Sequence, residues 1–156
     1  MPYLSNALFA LCETKLKDRA GAIERAHQKL KAAKAEAYAT HGASFDKPSV
    51  KSARSGSALE KAALRISEAE DELREALAWD DVAHRLQRAY PPSSTRQGEI
   101  ALYLFDRGMT QADAARLMGV ERGTIRRWKD DYLVACALYA VEAGLAKVDD
   151  EDEDKR

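Results

Sequence analysis

Four prolines and eight glycines in 156 residues are too few for the many turns of an all-β fold, and they suit long helices. Aromatic residues are scarce too, at 7%. Much of the 46% hydrophobic share is alanine, which buries little surface. These shortages exclude a thick core and leave a thin one made of helix on helix. Only two cysteines are present, Cys12 and Cys136. Without a CxxC or Cys/His spacing they read as buried free thiols and not as metal ligands. His27, His41 and His84 are scattered, and no nucleophile–base spacing or glycine-rich phosphate loop occurs. No enzyme activity, metal or cofactor is therefore expected. No stretch reaches the roughly 18 apolar residues of a membrane span, and no basic segment leads into an apolar one as in a secretory leader. A cytoplasmic protein without membrane contact is expected.

Charge of one sign is also lacking, since the net is −1, but the two signs are segregated. Residues 15–54 hold ten Lys/Arg against four Asp/Glu, residues 58–90 hold five against eight, and 149–154 read DDEDED. Local fields carry the information here.

The apolar pattern predicts an all-α chain: long, coiled-coil-like N-terminal helices followed by a C-terminal helix-turn-helix domain. An amphipathic helix is expected within residues 1–41, with Phe9, Leu16, Ile23, Leu30 and Ala37 repeating every seven residues. Cys12, Ala26 and Ala33 lie three residues after Phe9, Ile23 and Leu30. Arg19 breaks the stripe, and lysines and arginines occupy the other faces. Residues 42–57 read as a polar linker made basic by Lys47, Lys51 and Arg54, a possible phosphate-contacting arm or simply solvated. Ser57 and Glu60 match a capping box opening a long acidic helix over 58–90. Its expected apolar face is Leu59, Ala63, Ile66, Leu73 and Leu77, continuing through Trp79, Val82, Leu86 and Tyr90, and Pro91-Pro92 ends it. The basic and acidic helices are complementary, which favours their pairing within a chain or between copies.

Residues 93–146 carry the most specific signal. Ser93-Ser94 can cap a helix with Ile100, Ala101, Leu104 and Phe105 on one face, closed by Gly108. The next helix starts after Thr110, with Asp113 completing an acidic variant of the capping box, and Gly119-Val120 make the turn. Ala115 must be small where two helices cross. Gly119 supplies the positive φ of a short reversal. Val120, Ile125 and Trp128 form the inner face of the following helix, 121–131. Arg122, Gly123, Arg126 and Arg127 then face outward, where arginine can read guanine edges in the major groove. Thr124, Arg127, Lys129 and Gln111 are placed for the flanking phosphates. Five Lys/Arg against one acid over residues 116–129 favour duplex DNA over mere solvation. The last residues, 147–156, read as an acidic tail, either solubilising or competing with DNA for the basic helix.

The order of parts SFDKPSVKSARSGS, LEKAALRISEAEDELREAL, IALYLFDRGM and TQADAARLMGVERGTIRRWKDDYLVACAL resembles the ArpU/RinA-type phage transcriptional regulators. Their helix-turn-helix is similar to the promoter-reading region 4 of sigma factors. The resemblance spans roughly residues 45–140, of which only the last segment is specific. Glu121 departs from it, standing where Ser or Thr often caps the recognition helix. The resemblance implies control of late or packaging genes in a bacterial host and contact with RNA polymerase. The expected function is a sequence-specific transcriptional regulator acting on double-stranded DNA, as a homodimer because such motifs usually read paired half-sites. Two alternatives stay open: a phage small terminase subunit that recognises DNA for packaging, and a purely structural helical adaptor.

Overall fold

The computed structural model describes residues 4–42 and 52–148. All regular structure among them is helical: α1 (Asn6–Lys17), α2 (Arg19–Gly42), α3 (Ser52–Ala89), α4 (Arg96–Ala101), a π-helical turn (Leu102–Asp106), α5 (Gln111–Met118) and α6 (Arg122–Glu142). No helix among the described residues is long and apolar enough to cross a membrane. Most of the 42–57 stretch and the DDEDED tail lie outside the described residues.

Two compact units result, and they cut across the boundaries expected from composition. One holds the described residues up to Arg19 and from Ala78 onward; the other is the described part of Ala20–Leu77. The single N-terminal helix expected over 1–41 is two helices. Asp18, at φ −96° and ψ 4°, ends α1 with its N–H donating to the Thr14 carbonyl. The break falls beside Arg19, which interrupts the apolar stripe and makes an ion pair with Asp80 at 3.5 Å. α3 begins at Ser52, so Ser57 lies inside the helix and caps nothing.

In the first unit α1 opens on a Ser5 cap, whose side chain accepts from the Leu8 N–H at 3.2 Å. It buries Leu8, Cys12 and Leu16. Trp79, Val82, Ala83 and Leu86 of α3, Ile100 and Ala101 of α4, Leu104 and Phe105 of the π turn, and the inner face of α6 complete one apolar core. Tyr132 sits inside it, with its ring 5.9 Å from that of Tyr90 and 6.0 Å from that of Phe105, and burial pushes its hydroxyl well above the ordinary tyrosine range. Cys12 and Cys136 are both fully buried and unbridged. Their thiols hydrogen-bond to each other, and that bond together with burial raises the Cys136 pKa well above the usual thiol value.

α4 is capped by Thr95 and not by the Ser93-Ser94 pair. The Thr95 hydroxyl accepts from the Gly98 N–H at 3.1 Å and donates to the Pro91 carbonyl at 2.9 Å. Gly98 is required by space: a Cβ there would lie 2.1 Å from the Tyr90 carbonyl oxygen.

In the second unit α2 and α3 run antiparallel. Lys29 pairs with Glu72 and Glu36 with Arg65, so the two chain directions oppose. The shared seam is alanine-rich. Ala69 is fully buried and Ala26 buried, while Ile23, Leu30, Ala33 and Ala37 of α2 and Ala62, Ile66, Leu73 and Ala76 of α3 are half-buried. The face expected for α3 is thus rotated: Ala63 is exposed, as are Leu59 and Leu77, at 46% and 44%.

Candidate nucleic-acid interface

α4 with its π turn, α5 and α6 form a three-helix arrangement, in which both α4 and α5 pack on α6. Local chemistry fixes each corner. The first helix closes at Gly108, φ +65°, with the Met109 N–H donating to the Tyr103 carbonyl at 2.9 Å. Thr110 then caps α5, its hydroxyl accepting from the Asp113 N–H at 3.1 Å. The Asp113 carboxylate, instead of reaching back to the cap, binds Arg116 at 2.6 Å.

The turn between α5 and α6 rests on Gly119, at φ 66° and ψ 34°. The Val120 N–H donates to the Ala115 carbonyl at 3.1 Å, the six-to-one bond of a Schellman closure. Ala115, 6% exposed, therefore supplies both a close helix contact and the carbonyl that ends its helix. Glu121, at the N-cap of α6, makes no side-chain capping bond. Ile125 is fully buried, and Val120 and Trp128 are half-buried against the same core.

α6 is longer than the expected helix 121–131. It runs without interruption to Glu142 and buries Tyr132, Leu133, Cys136, Ala137 and Ala140 along the way. The segment that bears the arginines is thus the first half of a 21-residue helix, anchored by its second half. Arg85 of α3 clamps the far end, 4.3 Å from the Tyr139 ring centre and 3.1 Å from the Glu142 carboxylate.

Residues 93–146 match a homeodomain-like domain.

This homeodomain-like segment is a helix-turn-helix, a DNA-binding type of fold, and it supports a DNA-binding regulator in general terms. The match does not extend to the finer ArpU/RinA-type resemblance. No curated protein and no solved structure matches the chain.

On the homeodomain-like segment, Arg122, Gly123, Arg126 and Arg127 are all exposed on the first two turns of α6. Among the described residues no carboxylate pairs with any of the three arginines. Gly123 has nothing within 4 Å of where a Cβ would stand, so the fold itself does not demand this glycine. Thr124 and Gln111 are half-buried, Gln111 at the first position of α5. Asp130 and Asp131 lie exposed on the next turn and bound the positive field on that side.

Lys129 is placed differently from the expectation. Its side chain is only 14% exposed and binds Glu13 of α1 at 3.0 Å, so it ties two helices together instead of facing outward. Burial alone would raise the Glu13 carboxyl, but the hydrogen bonds and charges of Lys17 and Lys129 outweigh that and hold it below the ordinary glutamate value. Sequence reasoning missed this contact because α1 lies more than a hundred residues away in the chain. The only available signal was the apolar spacing of Phe9, Cys12 and Leu16, which names no partner.

Proposed function

We propose that the chain is a sequence-specific transcriptional regulator of the phage type, acting in the bacterial cytoplasm as a homodimer without enzymatic activity. It binds double-stranded DNA by placing the first two turns of α6 in the major groove. The observation that carries this reading is the cluster of Arg122, Arg126 and Arg127, exposed and without partner carboxylates, around a glycine that no intramolecular packing requires. Unpaired arginines on a helix held rigidly from behind can offer bidentate donors to guanine. A bare backbone at Gly123 lets that helix approach a groove wall closely, at a helix cost of roughly 1 kcal/mol relative to Ala. Arg122 and Arg126 serve base edges, while Arg127, Thr124 and Gln111 serve phosphates. Lys129 serves the fold. Contact with RNA polymerase belongs to the same reading, through the resemblance to sigma-type modules.

Selection from random duplexes followed by fluorescence anisotropy tests the proposal. Arg126→Ala should weaken the selected site by about 1–3 kcal/mol and relax its sequence preference. Arg127→Ala should weaken all duplexes alike and lower the salt dependence by roughly one phosphate contact. An Arg122→Ala/Arg126→Ala double variant that binds the selected site as well as the parent does would overturn it.

A further inference from the structure

α3 carries two apolar seams, and α2 covers only one. The covered seam is Ala62, Ile66, Ala69, Leu73 and Ala76. The second shares Ile66 and Leu73 but is completed by Leu59, Ala63, Glu70 and Leu77, all exposed. Its spacing alternates four and three residues without a slip, the repeat of a helix that meets another helix. At 1.5 Å per residue it is roughly 27 Å long.

We propose that this uncovered seam is the dimer interface, closed by α3 of a second copy running antiparallel about a two-fold axis at the level of Ser67–Glu68. The seam is complementary to itself in that one arrangement. Leu59 meets Leu77 of the second copy, Ala63 meets Leu73, and Ile66 meets Glu70, each contact occurring twice as an isologous interface requires. On the open flank the exposed residues are Glu60, Ser67 and Arg74. The antiparallel pairing sets Glu60 of each copy against Arg74 of the other and Ser67 against Ser67. The opposite flank is the alanine row that α2 already occupies. A parallel pairing in register would stack Glu70 on Glu70 and leave Glu60 and Arg74 on opposite sides of the seam. Glu70 thus acts as the polar residue in an apolar seam that costs stability and fixes orientation.

This deepens the dimeric part of the proposed function and is separable from DNA binding, because it is read on the full chain without DNA. Sedimentation should show a dimer, and Leu59→Glu/Leu77→Glu should give a monomer with unchanged helix content by circular dichroism. Glu70→Leu should tighten the dimer at least tenfold. Glu60→Arg should weaken it severalfold, with Arg74→Glu in the same chain restoring it. Ser67→Cys should be joined to its counterpart by a short bismaleimide, since Cys12 and Cys136 are buried. A wild-type monomer at about 50 μM overturns the proposal. So does a Leu59→Glu/Leu77→Glu dimer, or a dimer in which Ser67→Cys fails to cross-link. Unchanged DNA binding in the arginine variants, with the dimer intact, would instead strike the DNA reading alone.

Discussion

α3 is one continuous helix, yet its two ends are held by different means. From Trp79 to Leu86 it turns large side chains into a core shared with α1, α4, the π turn and α6, and Val82 and Leu86 are almost wholly buried. From Ala58 to Leu77 the only fully buried residue is Ala69, opposite the alanines of α2. Helix content is the same in both stretches. Tertiary stability is not, because most of a helix's stability in a protein comes from the face it buries and little from propensity. The second unit is held by small and half-covered side chains, the first by large buried ones.

Substitutions along this contrast can break or sharpen it. Leu86→Ala should cost about 2–5 kcal/mol in chemical unfolding, as truncations of buried leucines do, whereas Leu64→Ala, at a 59% exposed site on the same helix, should stay within about 0.5 kcal/mol. Equal costs would dissolve the distinction between the two halves. Gly98→Ala forces a methyl against the Tyr90 carbonyl and should cost about 3 kcal/mol, seen as a lower melting temperature of the first unit. Gly119→Ala meets no atom but keeps a left-handed φ, so roughly 1–2 kcal/mol is expected, with DNA affinity following stability. At the small end, Lys29→Ala removes an ion pair whose partners are both about half exposed and should change stability by less than about 0.5 kcal/mol.

Acid provides a further test, confined to the first unit. The folded Glu13 pKa is depressed, so its contribution is fully present above the ordinary glutamate value and is lost as pH falls through the folded value. Thermal melts between about pH 6 and about pH 3 should show this loss, and Lys129→Met should flatten it. A variant with the same acid slope as the parent would show that the Glu13–Lys129 pair is not what senses pH.

What could be read from the sequence was local chemistry. Thr110 as a cap, Gly119 as a left-handed corner and Ile125 as an inner residue each answer a need met within a few residues, so the turn between α5 and α6 was legible. Exposure of Arg122, Arg126 and Arg127 followed from the same periodicity. Three things were not legible, for one reason. The break at Asp18, the rotated face of α3 and the inward turn of Lys129 are all decided by partners distant in sequence: Asp80, the alanines of α2 and Glu13. The choice of Thr95 over Ser93-Ser94 is different in kind: it is local, set by a hydroxyl that must also reach the Pro91 carbonyl four residues back.

The facing thiols of Cys12 and Cys136 have a kinetic consequence. Neither sulfur can react with a reagent while α1 lies on α6, so the rate of labelling by a small disulfide reports how often that seam opens. The protein carries its own clock for one local unfolding event, in the helix that backs the arginine-bearing turns. If cognate duplex slows that clock, the N-terminal helix senses occupancy of a surface it does not touch.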